Sequence, residues 1–103
     1  MYQINLHDIC EVEIMFLVGE NWQPSIIYEC ENSNQVPDML IMVLDDLNSV
    51  LCCGQRYFKN LLNVVIIVKC KNKIFNIMDT NDFFSFVKKS LFIESIFSMF
   101  PAN

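Results

Sequence analysis

Two apolar runs near the start of the chain alternate with polar positions and predict a β-hairpin. Residues 9–18, ICEVEIMFLV, are rich in β-forming residues and alternate at their beginning, which indicates a strand. Residues 25–31, SIIYECE, have the same character. The intervening GENWQP has Gly19 and Pro24 at its ends and is typical of a turn.

Helical periodicity predicts two helices. Residues 38–53, DMLIMVLDDLNSVLCC, follow Pro37 and should end near Gly54. The apolar face of this helix is Leu40, Val43, Leu44, Leu47 and Leu51. A second helix should begin at Asp79 or Thr80 and carry the stripe Phe83, Phe86, Val87, Ser90, Ile93, Phe97 and Phe100. Phe92, Ile96 and Met99 emerge on its other side, so either it breaks near Ser90 or something else covers its end.

A second hairpin is predicted over residues 63–79, turning at residues 71–73. One face of its first strand carries Val64, Ile66, Val68 and Cys70, and the other carries Val65, Ile67, Lys69 and Lys71. The run VVIIV is typical of a central strand covered on both sides. The order ββαββα therefore predicts an α+β fold, a single domain over residues 1–103. We expect a four-stranded, largely antiparallel sheet with two helices packed on one face, its strand order left open.

Alternation places four glutamates on one side of the first hairpin. The inward set is Cys10, Val12, Ile14, Phe16 and Val18 in the first strand, with Ile26, Tyr28 and Cys30 in the second. The outward set is then Glu11, Glu13, Glu29 and Glu31. One compatible register pairs Glu11 with Glu31 and Glu13 with Glu29, and the next opposes Glu13 to Glu31. Each opposed pair of like charges costs a few tenths to about 1 kcal/mol.

Charge is distributed very unevenly along the chain. Residues 1–55 contain nine carboxylates and no lysine or arginine, whereas the remainder contains seven basic residues and three carboxylates. Binding to nucleic acid calls for the opposite sign. A basic protein surface is the better electrostatic match for the acidic half, and we expect no direct contact with nucleic acid.

The outward face of the hairpin is the candidate binding site. Met15, Leu17 and Ile27 form an apolar spot beside Trp22 and Glu20, and an apolar centre with a charged rim is typical of protein interfaces. The predicted partner-binding residues are Glu11, Glu13, Glu20, Trp22, Ile27, Glu29, Glu31, Asp45 and Asp46. In the alternative interpretation, a loop or helix covers the apolar spot and the glutamates are merely solvated.

The sequence contains no motif for metal binding, cofactor binding or catalysis. The five cysteines are odd in number and have no close metal-ligand spacing, so we interpret them as reduced, mostly buried residues. Asp45 and Asp46 diverge by about 100° on a helix and make poor joint ligands. We expect no metal, no cofactor and no enzymatic activity. Charges interrupt every apolar run, and no basic region opens the chain, which favours a cytoplasmic protein without a membrane segment.

In size, acidity and residue usage, the chain resembles the immunity proteins of bacterial contact-dependent growth inhibition and other polymorphic toxin systems. This resemblance rests on general character, and no stretch of the chain can be aligned with the family. It implies an inhibitor that covers the cationic active site of a toxin, often a nuclease. One alternative is a phage-encoded inhibitor of a nucleic-acid-binding defence complex. Another is a structural homo-oligomer subunit, because 53% of the residues are hydrophobic and a small domain cannot bury them all.

Overall fold

The computed structural model describes residues 4–57 and 61–99, with side chains over 4–51 and 63–92. It confirms the α+β class. The strands are β1 (Ile9–Val18), β2 (Asn21–Trp22), β3 (Ile26–Glu29), β4 (Leu61–Cys70) and β5 (Ile74–Ile77). The helices are α1 (Val36–Tyr57) and α2 (Thr80–Met99), and short 3-10 helices span Leu6–Asp8 and Ser33–Gln35.

The sheet is antiparallel, and β1 and β4 lie at its centre. β2 and β3 both pair with the same side of β1, β4 pairs with its other side, and β5 completes the sheet beyond β4. The strand predicted over residues 25–31 is therefore the longer part of an interrupted strand that begins at Asn21. In width the sheet has the four predicted strands, although one of them is in two pieces.

One face of the sheet carries the core, and both helices pack on it. Val12, Ile14 and Phe16 of β1 are buried beside Val64, Ile66 and Val68 of β4, as alternation predicted. Buried residues of the helices join the same cluster: Val36, Met39, Leu40, Val43 and Leu47 from α1, and Phe83 and Val87 from α2. We call this side the covered face and the opposite side the open face.

Two irregularities change which side chains share a face. The pairing with β4 shifts by one residue between Ile9 and Glu11, which makes Cys10 an extra residue in β1. Ile9 is therefore buried and Cys10 exposed, and the prediction that Cys10 faces inward is wrong. The second irregularity is in the other arm of the hairpin, where residues 23–25 lie opposite only Met15 and Phe16.

The helices begin where predicted, but their later parts differ from expectation. α1 starts one residue before Pro37 and continues past Gly54 to Tyr57, so the predicted stop is wrong. Leu51, predicted to face the core, is exposed. α2 is capped by Asp79, whose Oδ1 accepts hydrogen bonds from the backbone N–H groups of Asn81 and Asp82. Its backbone does not break at Ser90. The predicted core side chains Ile93, Phe97 and Phe100 lie outside the described side chains.

Across the described ranges, neither helix is long and apolar enough to cross a membrane.

A buried tyrosine links the hairpin to α1. Tyr28 of β3 is 7% exposed, and its hydroxyl donates a hydrogen bond of 2.6 Å to Oδ2 of Asp46. Burial, together with the hydrogen bond to this carboxylate and its charge, raises the pKa of Tyr28 above its ordinary value. The phenol therefore stays protonated in the folded protein at pH values where it would ionise in the unfolded chain.

We expect Tyr28→Phe to lower the free energy of unfolding by about 1 kcal/mol at neutral pH, because it removes this hydrogen bond. An unfolded tyrosine ionises near pH 10. Since the folded pKa is raised, the contribution of Tyr28 is complete below that pH and declines as the pH rises above it. The difference between wild type and variant in urea denaturation should therefore shrink above about pH 10.

Asp46→Ala should give a loss similar to that of Tyr28→Phe at neutral pH. Asp45→Ala is the matched control, because it removes the adjacent exposed carboxylate of the same helix. Equal losses from the two aspartate variants would contradict a specific contribution of the Tyr28–Asp46 bond.

Candidate functional site

The open face of the sheet brings together residues from all five strands. Register places them in rows across the sheet: Glu29–Glu11–Lys69–Ile74, then Ile27–Glu13–Ile67–Asn76, then Met15–Val65, and finally Trp22–Leu17–Asn63. Both described helices lie on the other side. The open face is therefore a mixed surface with an apolar centre and charged residues concentrated in one row.

Trp22 and Ile27 are the most accessible apolar side chains on the hairpin part of this face. Trp22 is 49% exposed and Ile27 is 52% exposed. Strict alternation would place them on opposite faces because their numbers differ by five. The extra residue within 23–25 restores them to the same side. Pro24 fits there because it lies between the two paired segments, where Gln23 still donates its backbone N–H to the carbonyl oxygen of Phe16.

The apolar surface continues across the sheet beyond the predicted hairpin. Val65 and Ile67 of β4 are only partly buried on the open face, so the prediction that this strand is covered on both sides is wrong. At the far edge, Ile74 is 66% exposed, and Met78, which follows β5, is 55% exposed. Alternation predicted that Val65 and Ile67 lie on the face of β4 that does not carry the core. Without the strand order, it could not show that this face adjoins the hairpin.

The carboxylates of the open face are partly neutralised by a lysine from the second half of the chain. The Nζ atom of Lys69 lies 2.6 Å from Oε2 of Glu11 and 3.7 Å from Oε2 of Glu13. Oε2 of Glu11 has almost no solvent-accessible area. The ion pair with Glu11 is the main reason that the pKa of Lys69 is raised. The first half of the chain supplies no cation for these glutamates, and the second half supplies Lys69.

The strand register also differs from both predicted registers. Glu11 lies opposite Glu29, and Glu13 lies opposite Ile27. Glu11 and Glu29 are therefore one directly opposed pair of like charges. Lys69 of β4 lies on the other side of Glu11 in the same row. Glu31 lies beyond the end of β3, where its backbone N–H donates to the side chain of Gln35.

The predicted partner-binding residues divide into two groups. Glu11, Glu13, Trp22, Ile27 and Glu29 lie on the open face, and exposed Glu20 follows Gly19 in the turn between β1 and β2. The structure separates Asp45 and Asp46 from them, because α1 packs on the covered face. Asp46 also accepts the hydrogen bond from Tyr28. The two aspartates therefore do not extend the acidic rim of the open face.

The described thiols are less buried than expected. Cys10 is exposed, and Cys30 and Cys70 are half-buried. Burial raises the pKa of Cys70, although lysines flank it in sequence, so the thiol is protonated near neutral pH. Among residues whose side chains are described, no group of three histidine, cysteine or acidic side chains could hold a metal ion.

A cleft lies beside the turn between β4 and β5, within the part of the chain that the structure describes. It has a volume of about 220 Å³ and is lined by Ile4, Asn5, Asp8, Cys70, Asn72, Lys73 and Phe75. Pockets for drug-sized ligands are usually roughly 300–1,000 Å³. The open face is therefore the stronger candidate site, and its chemistry suits a protein surface rather than a small molecule.

Comparison of the chain with protein-family models, curated proteins and solved structures finds no match in any of the three.

We expect Lys69→Met to lower the thermal midpoint, because it leaves Glu11, Glu13 and Glu29 adjacent without their cation. The loss should be smaller at high salt, where screening weakens both the attraction and the repulsion. In a double-mutant cycle, Glu11→Gln should destabilise the wild type but destabilise Lys69→Met less, or stabilise it. Lys71→Met, at an exposed position in the nearby turn, is the matched control. Additive effects of Lys69→Met and Glu11→Gln would argue against coupling.

Proposed function

We propose that the protein is a small inhibitor that binds a basic protein through the open face of its sheet. The observation that carries this proposal is the position of Trp22 and Ile27, both about half exposed, on a sheet face that neither described helix covers. Large exposed apolar side chains gathered on one face are a common property of protein-binding surfaces. Tryptophan in particular is enriched among the residues that dominate binding energy.

The charge around the apolar centre supports a partner of opposite sign. Glu29 is exposed on the same face, and Glu20 stands at its end beside the turn that precedes Trp22. Lys69 is engaged by Glu11 and Glu13, so the accessible charge on the hairpin side is negative. Such a rim steers association with a basic surface and makes the association rate sensitive to salt.

An immunity protein of a bacterial toxin system is the class that fits this description best. Its partner would be a toxin domain, such as a nuclease, whose active site is cationic because it binds phosphates. Trp22 and Ile27 would then anchor the complex, while Glu20 and Glu29 pair with lysine or arginine of the toxin and exclude its substrate. A phage-encoded inhibitor of a nucleic-acid-binding defence complex would use the same chemistry on a different basic enzyme.

A structural homo-oligomer is the second candidate, and the Lys69 ion pairs favour it. Because Lys69 neutralises part of the charge of Glu11 and Glu13, the middle of the open face is less acidic than the sequence indicates. Two copies could then bury Met15, Leu17 and Trp22 against each other. In that case, light scattering would show a stable oligomer that Trp22→Ala disrupts, and no basic partner would be required.

The first experiment is affinity capture from the native host, followed by mass spectrometry and expression of the captured protein. With that partner in hand, calorimetry should show that Trp22→Ala weakens binding by about 30-fold or more, as expected for an anchor worth about 2 kcal/mol. Glu29→Lys should slow association at low salt and have little effect at high salt.

Asp45→Lys is the matched control for Glu29→Lys. It makes the same change of charge on α1, on the other side of the sheet, and should leave the association rate nearly unchanged. The proposed surface is wrong if Asp45→Lys slows association as much as Glu29→Lys does, or if Trp22→Ala binds as tightly as the wild type.

A further inference from the structure

The two edges of the sheet differ in how they are protected against pairing with another strand. At one edge, the arm formed by β2 and β3 is interrupted at residues 23–25, includes Pro24 and ends at Glu29. Interruption, proline and charge are devices that keep edge strands from associating. At the other edge, the five residues from Ile74 to Met78, IFNIM, contain no charge and no proline.

The backbone of β5 has hydrogen-bonding groups directed away from the sheet. The N–H of Cys70 donates to the carbonyl oxygen of Lys73 at 2.8 Å. This bond shows which residues of β4 and β5 form the hydrogen-bonded pairs. In an antiparallel pair, alternate residues exchange hydrogen bonds with the neighbouring strand. Phe75 and Ile77 therefore bond to β4, while the N–H and C=O groups of Ile74 and Asn76 point to the edge of the sheet, where no other strand of the described residues pairs.

We propose that β5 pairs with β5 of a second copy of this chain, in antiparallel orientation about a two-fold axis at Asn76. This register uses the outward-directed groups of Asn76 in both copies, so each copy donates and accepts. It places Ile74 opposite Met78 of the second copy on the open face, twice by symmetry. These side chains are 66% and 55% exposed in the single chain, and each would gain an apolar neighbour.

Charge at the ends of the paired segment agrees with this register. The two-fold axis that pairs Ile74 with Met78 also brings Lys73 opposite Asp79 of the second copy. Both residues are exposed in the single chain. Oδ1 of Asp79 accepts the N–H groups that cap α2, which leaves its second oxygen for the lysine. Two ion pairs would therefore flank the paired strands, and no like charges are directly opposed between residues 73 and 79.

The dimer is compatible with the proposed function and does not depend on it. β5 lies at the opposite edge of the sheet from β2 and β3, so Trp22 and Ile27 of each copy remain accessible at the far ends of a continuous sheet. Pairing of one short strand from each copy makes a small interface, and small interfaces are usually weak. We therefore expect a dimer that dissociates on dilution.

Sedimentation velocity over a range of concentrations tests the proposal. The wild type should shift from monomer to dimer as its concentration rises. Asn76→Pro should remain monomeric at the concentration where the wild type is half dimeric, because proline removes an outward N–H that makes no bond to β4. Ile74→Lys should have the same effect through charge and lost apolar contact. Met42→Lys, an equivalent change at an exposed position of α1, should dimerise like the wild type.

Amide hydrogen exchange gives a second readout that a merely misfolded variant would not imitate. In the wild type, the amides of Ile74 and Asn76 should become protected as concentration rises, while those of Phe75 and Ile77 are protected throughout. The proposal is overturned if the wild type stays monomeric with unprotected Asn76 at every concentration. A dimer that persists in Asn76→Pro, or that Trp22→Ala disrupts instead, would also overturn it. A foreign strand bound at β5 while the wild type stays monomeric would assign the edge to another occupant.

Failure of the dimer and failure of the proposed inhibitor function are distinguishable. Trp22→Ala tests partner binding and should leave sedimentation unchanged, whereas Asn76→Pro tests the dimer and should leave intrinsic binding of a basic partner to each copy unchanged.

Discussion

Antiparallel pairing between β1 and β4 joins the two halves of the chain along nearly the whole length of both strands. Every other element is positioned by this pair: β2 and β3 extend it on one side, β5 on the other, and both helices pack on its covered face. The inward side chains of the pair are buried, and burying a large aliphatic or aromatic side chain contributes about 1.5–3 kcal/mol relative to leaving it exposed. The remaining strands are short and depend on this pair for a surface to bind.

The same pairing changes the meaning of the uneven charge distribution. Along the chain, acidic and basic residues are separated almost completely into two halves. In space, β4 brings Lys69 from the basic half against Glu11 and Glu13 of the acidic half. The separation in sequence therefore supports the fold itself, because a strand from each half must meet for the charges to be balanced. The acidity left for a partner is at the rim, in residues such as Glu20 and Glu29.

Local patterns predicted most elements because their causes are local. The turn at residues 71–73, the inward sets of β1 and β4 apart from Cys10, and the cap of α2 at Asp79 follow from alternation and capping, and the structure confirms them. Gly54 was misleading because a glycine inside a helix costs only about 0.5–1 kcal/mol relative to alanine, so a helix can continue through it. Single extra residues at Cys10 and within 23–25 shifted side chains between faces, and alternation cannot anticipate them.

The candidate site could be predicted only in part, because the sequence does not reveal the order of the strands. Lys69 was expected to face away from the core, but without the β1–β4 pairing it could not be placed beside Glu11. Val65 and Ile67 were missed for the same reason, since a run of five apolar residues is equally typical of a strand buried on both sides. The apolar centre near Trp22 was found because its residues are close in sequence and lie in one hairpin.

The extra residue between β2 and β3 matters more for the edge of the sheet than for the direction of Trp22 and Ile27. Removing one residue within 23–25 would leave these two side chains four positions apart, so continuous alternation would still turn both outward. It would also join β2 and β3 into one uninterrupted edge strand, and uninterrupted edge strands pair readily with other chains. Among diverging copies of such a gene, a single deletion here would therefore preserve the direction of the proposed anchors but raise the tendency to aggregate.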